Sequence, residues 1–209
     1  MNKIHIDTWS RKETYQFYRE VDLPTYLMTF QLDVTRLYHY IKKEGLSFYL
    51  SMIHTSLEVM NSIENFKYRF INSEPYLMDS IHPSFTDQID GSDQFKIVTI
   101  DFDDDLKTFN RLAKEKSKLQ GSTFIDLKEE QRVDLVYITS FPWASYTQVS
   151  HAKHLDKYDA IPRVCWGKFE DIQGKKIMPF SIEVHHAFVD GLHVGKLITK
   201  LQEKLNQFE

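Results

Sequence analysis

The chain has 209 residues, 42% hydrophobic and 14% aromatic, with only 7 Gly and 6 Pro, which excludes disordered, collagen-like and glycine-rich nucleotide-loop classes. Lys and Arg number 26 against 30 Asp and Glu, a net charge of −4, so neither a nucleic-acid partner nor an anionic membrane is expected; both need clustered basic residues. Cys165 stands alone, no Cys/His spacing suits a metal, and no apolar run reaches a membrane span, so one domain over 1–209 in a reducing cytoplasm is expected, with neither metal nor signal peptide.

The segment from Thr8 to Glu20 reads as a short helix with a Thr or Ser cap and apolar Trp9, Tyr15 and Tyr18. Residues 25–35 are β-prone and end in Asp33, a cap for a helix over Thr35 to Lys43. The run Phe48 to Ile63 has helical spacing and reads as mostly buried. A hairpin is predicted around Asn72-Ser73-Glu74, a strand over 95–102, and a helix from Asp103 to Leu119 opened by three aspartates at the positive end of its dipole. Strands follow near 134–140, 161–169 and 175–184, and a helix after Gly191 carries Val194, Leu197, Ile198, Leu201 and Leu205. The fold class is mixed α/β in the α+β sense: a mixed, largely antiparallel sheet with helices packed on it.

The stretch most able to do chemistry is Phe180 to Gly195, FSIEVHHAFVDGLHVG. In an extended strand Phe180, Ile182, Val184 and His186 share one face, and Ser181, Glu183 and His185 the other. His186 then continues an apolar stripe, where burial lowers an imidazole's pKa and keeps it neutral, as a general base must be. The same position also suits a core histidine with both ring nitrogens bonded. Asp190-Gly191 is a turn pair that can hold the strand end while a helix begins, and Asp190 can brace the loop or meet a basic residue.

HHAFVDGLHVG resembles the active-site segment of the chloramphenicol acetyltransferase family, whose wider HHxxxDG form recurs in dihydrolipoyl acyltransferases and peptide-synthetase condensation domains. Further blocks resemble that family in the same order: WSRKETYQFYREVDLP at 9–24, a hairpin block MDSIHPSFT at 78–86, Phe95, Phe102, Asp105 and Phe109, ITSFPW at 138–143 and GKF at 167–169. The resemblance implies a CoA-dependent acyltransferase fold, acetyl-CoA as co-substrate, and a homotrimer with each site at a subunit boundary. It makes His186 the base that takes a proton from an acceptor hydroxyl, which attacks the thioester directly in a ternary complex. It makes Asp190 and Arg11 a brace around that base and Thr139, in place of the usual serine, the oxyanion donor. It assigns Lys168 to the CoA nucleotide phosphate, Phe169 to the adenine, and Phe17, Tyr18, Leu23, Thr25 and Phe95 to the acceptor pocket.

This chain departs from the family pattern at Glu183 for Gln, Leu192 for Phe or Tyr, Cys165 for a threonine beside the acceptor, and His151 for a pocket leucine. The resemblance therefore implies acetyl transfer, with chloramphenicol as the first acceptor to consider, an antibiotic-resistance enzyme in that case. Two alternatives are the same chemistry on another hydroxylated acceptor, and a non-catalytic protein that keeps the fold and holds CoA or an aromatic ligand.

Overall fold

The computed structural model describes residues 1–209, except for the side chain of Glu130. Its elements run β1 (Asn2–Lys3), α1 (Lys12–Tyr18), β2 (Thr25–Asp33), α2 (Thr35–Glu44), α3 (Phe48–Asn61), β3 (Tyr68–Ile71), β4 (Glu74–Leu77), β5 (His82–Gln88), β6 (Phe95–Thr99), α4 (Leu106–Gln120), α5 (Leu127–Glu130), β7 (Leu135–Phe141), β8 (Arg163–Gly167), β9 (Glu170–Ile172), β10 (Lys175–His185) and α6 (Gly191–Leu205). The large sheet has the order β2-β10-β8-β7-β5-β6, with β9 also paired to β10. Among the described residues only β5/β7 and β7/β8 are parallel. β1, β4 and β3 form a small second sheet.

Helix starts follow local polar chemistry. Ser47 Oγ accepts from Leu50 N–H at the head of α3, and Asp105 from Thr108 N–H at the head of α4. Asp33 serves α2 from one position before the cap residue, accepting from both Thr35 N–H at 3.0 Å and Thr35 Oγ1 at 2.6 Å. The first helix is shorter than the sequence suggests: its cap residue is Arg11, which makes no side-chain cap bond. The segment at 78–86, which resembles the family's hairpin block, leads into β5, which pairs antiparallel with β6 across a short connection and parallel with β7 on its other side.

β10 alternates as predicted only as far as His185. Phe180, Ile182 and Val184 are buried beside Val164, Trp166, Val136 and Ile138 in the core, where α3 lies against both α4 and α6. Ten of the fourteen residues of α3 are buried, each large apolar side chain contributing about 1.5–3 kcal/mol. Ser181, Glu183 and His185 face the other side, yet they too are buried, because residues of the 142–162 segment cover them: Tyr146 Oη donates to Cys165 O, and His185 Nε2 bonds Lys157 O at 2.8 Å. The expectation that His186 extends the apolar stripe is corrected here. The strand ends at His185, and His186 opens a turn, its N–H donating to Pro24 O at 2.8 Å.

Candidate active site

The turn after β10 is fixed by an aromatic anchor. Phe188, 1% exposed, packs on Phe70 at 4.7 Å and Tyr15 at 6.0 Å between ring centroids, and its carbonyl accepts from Asn65 Nδ2. This places the two histidines in different surroundings. His185 is buried, accepts from Ala187 N–H at Nδ1 and bonds Lys157 O through Nε2; burial pushes its pKa down to about 4. It is the bonded core histidine of the pair. His186, with a side chain 31% exposed, stacks flat on Tyr18 at 3.8 Å and 4°, and leans on Tyr26 at 4.8 Å.

Asp190 stands at the cap position of α6, but its carboxylate is engaged elsewhere. Arg11 binds it through both ends, Nη1 to Oδ2 at 2.6 Å and Nη2 to Oδ1 at 2.8 Å, and holds its pKa below the usual carboxylate range. The same guanidinium reaches the carbonyls of His186 and Ala187 at 3.4–3.5 Å. His193 Nδ1 accepts from Asp190 N–H at 2.9 Å. His186 Nδ1 is buried 3.3 Å from Asp190 Oδ1, out of line for a hydrogen bond. Around this corner Phe17, Leu23 and Leu192 are exposed, at 68%, 58% and 66%.

Thr139 belongs to a second group. Strand register sets Thr29, Ser181, Cys165 and Thr139 on one rung of the sheet. Thr29 and Ser181 share a hydroxyl bond of 2.7 Å, and Thr139 Oγ1 lies 2.9 Å from Thr86 Oγ1. Of these, Thr139 and Thr86 line a cleft of about 790 Å³, together with Ser84, Tyr137, His151 and Lys153 among others. Arg11, Tyr18, His186 and Asp190 do not line it. Thr25 is the link between the two groups: it pairs with His185 across β2/β10 and accepts from Lys153 Nζ at 2.6 Å. Lys153 Nζ also holds Glu183 Oε1. Burial alone would raise the Glu183 pKa, but His151 and Lys153 beside it bring it down to about 2.

Two further residues escaped the sequence reading. Arg69 on β3 is fully buried at the cleft wall, donating to four backbone carbonyls, those of Phe66, Tyr68, Val133 and Leu135. Lys153 sits in a segment with no periodicity to mark it. Cys165 is buried, its thiol pKa raised by burial, which does not suit a nucleophile. Phe95 lies half-exposed against Phe124 at 5.7 Å and does not line the cleft, although Ile97 two residues on does. Lys168 is exposed, while Phe169 is half-buried against Tyr38 and Phe48 with Lys176 Nζ 4.8 Å from its ring centre. Among the described residues no His/Cys/Asp/Glu group has the geometry to hold a metal ion, and no helix is long and apolar enough to cross a membrane.

This mixed sheet with its helices is the architecture of solved acyltransferases. A solved chloramphenicol acetyltransferase superposes with a TM-score of 0.89 at 24% identity, covering 98% of this chain and all of that one. A probable dihydrolipoamide acetyltransferase from Listeria monocytogenes gives 0.71 at 14%, covering 96% and 93%. In sequence, chloramphenicol acetyltransferases from Escherichia coli and Clostridium perfringens are 28% and 27% identical, covering 99% and 100% of this chain and 94% and 96% of theirs. The chloramphenicol acetyltransferase family model matches residues 1–202. The chain belongs to that family and is an acyltransferase.

Proposed function

We propose that the protein transfers the acetyl group of acetyl-CoA to a hydroxyl of a small acceptor, with chloramphenicol, named by its relatives, as the first candidate. The observation that carries this is His186: a part-exposed imidazole stacked on Tyr18, in a turn braced by the double Arg11–Asp190 bond. A ring nitrogen of His186 takes the proton of the acceptor hydroxyl as the hydroxyl oxygen bonds to the thioester carbonyl carbon. The carbonyl oxygen gains the charge, which the Thr139 hydroxyl stabilises; the C–S bond then breaks, and the proton passes from His186 to the departing thiolate. A brace that holds the base within a fraction of an ångström is what such a proton transfer needs.

Lys168 is free to meet a CoA phosphate, and Phe169 with Tyr38 offers an apolar edge to the adenine. His186 and Thr139 belong to separate groups within one chain, which supports a site completed by a second copy, in a homotrimer formed from single-domain chains that carry out resistance chemistry in the cytoplasm. Thiol release from acetyl-CoA, with and without chloramphenicol, tests the reading on wild type and His186→Ala. Acceptor-dependent release that falls about 10²–10⁴-fold in the variant, with CoA still bound, is expected. Release that persists in His186→Ala would remove the histidine from the reaction, and CoA binding with no release in wild type would favour a non-catalytic role.

A further inference from the structure

His151 is the one cleft-lining side chain whose hydrogen-bonding groups are both buried and both unpartnered among the described residues. Its ring is 16% exposed, and Glu183 Oε2 lies 3.7 Å from Nδ1, beyond bonding distance. A neutral imidazole presents one donor and one acceptor, and each left unmet in a buried site costs about 1–3 kcal/mol. A hydroxyl group satisfies either nitrogen, because it both donates and accepts.

The charge around the ring is already balanced. Lys153 holds the Glu183 carboxylate on one side and Thr25 on the other, and Arg163 at the cleft wall is paired with Asp159, so these charges are met within the chain and leave no unpaired one for an ionic ligand. The floor adds hydroxyls rather than charges: Ser84 with Thr99, and Thr86 with Thr139. The cleft's 790 Å³ suits a drug-sized or sugar-sized molecule.

We propose that His151, backed by Lys153 and Glu183, is a specificity-determining residue, and that the cleft takes a neutral, hydroxyl-rich acceptor which exchanges hydrogen bonds with the His151 ring. An acceptor that lays only an aryl or alkyl face there covers both nitrogens and loses affinity. The proposal rests on the acetyl-transfer reading, since it takes the Thr139 cleft as the acceptor site.

Titration calorimetry on wild type, His151→Leu and His151→Gln, with chloramphenicol and methyl glucoside as probes, tests it. In His151→Leu the chloramphenicol Kd should tighten about tenfold and the glucoside Kd weaken about tenfold, while His151→Gln, which keeps a donor and an acceptor, keeps the wild-type order. His151→Met carries the same test should the Leu variant not fold. A ratio of the two Kd values that is the same in all variants, or no binding of either probe to any of them, overturns the proposal. Thiol release on the same preparations is scored separately: its absence sinks acetyl transfer, while the binding ratio still decides His151.

Discussion

At the corner that holds His186, both Asp190 oxygens are bound by Arg11, and the carbonyls of His186 and Ala187 lie within reach of the same guanidinium. In the cleft that holds Thr139, the Lys153–Glu183 pair is set beside a histidine whose two nitrogens have no hydrogen-bond partner among the described residues, and a second pair, Arg163 with Asp159, stands at the wall. Satisfied polar groups fix geometry, whereas unsatisfied buried ones raise the energy of the empty state and lower it when a complementary ligand arrives. The Arg11–Asp190 pair is thus built to hold the turn still, while His186 Nδ1 in that corner and the two His151 nitrogens in the cleft are left to be completed from outside.

The corner gives the largest expected effect. Asp190→Asn keeps the shape but removes the charge that Arg11, only 13% exposed, is paired with. We expect kcat for acetyl transfer to fall about 10²-fold through misplacement of His186. Stability should fall by about 2 kcal/mol, less than for a fully buried pair because a third of Asp190 faces solvent. Turnover and thermal unfolding of the variant read the two effects together. A variant with wild-type kcat and Tm would show that the bidentate bond braces nothing.

His185, buried next to the corner, gives the next effect, read as a pH dependence of stability. Inside the fold His185 Nδ1 is occupied by Ala187 N–H and Nε2 by Lys157 O, so the ring has no place for a second proton, and its pKa is pushed down to about 4 from the ordinary 6.5. The unfolded chain takes that proton near pH 6.5. Between about pH 6.5 and 4 the unfolded state therefore binds more protons, and stability drops as the pH falls, by about 3 kcal/mol across the window. His185→Gln keeps a donor for Lys157 O and cannot titrate. Its Tm should be lower than wild type at pH 7 and should change less between pH 7 and 4.5; an unchanged slope would take His185 out of the acid sensitivity.

How far these features were legible depends on whether the signal lies in periodicity or in packing. The alternation of Phe180, Ile182 and Val184 against Ser181, Glu183 and His185 marks β10 correctly, but the same count carried one residue too far put His186 on the strand. What ends the strand is the anchoring of Phe188 in the aromatic cluster with Tyr15 and Phe70, a contact between segments far apart in the chain. The hairpin at 78–86 came from the family resemblance alone, and β5 is the first arm of an antiparallel pair with β6, with Pro83 inside the strand, where local preference would not place a proline. The pairing of Arg11 with Asp190 was implied by the family resemblance. His151 was marked by the resemblance as standing at a pocket position, whereas Lys153 and Arg69 acquire meaning only when the 142–162 segment and β3 fold over the sheet, which no local pattern announces.

The smallest effect lies at the cleft rim, where Asn72 and Ser73, both lining the cleft, join β3 to β4. Both residues hold positive φ, 52° and 62°, the pair of angles a two-residue type I′ hairpin turn requires. Asn tolerates that region, whereas Ser73 holds its Cβ there at a cost of about 1 kcal/mol that glycine does not bear. Ser73→Gly makes the favoured Asn-Gly pair, and the gain in the folded turn is partly offset by the greater freedom of glycine in the unfolded chain. A rise of about 0.5 kcal/mol, near 1–2 °C in Tm for a chain of this length, is expected from thermal unfolding. A fall in Tm would mean that the Ser73 side chain contributes more to the rim than its backbone angle takes away.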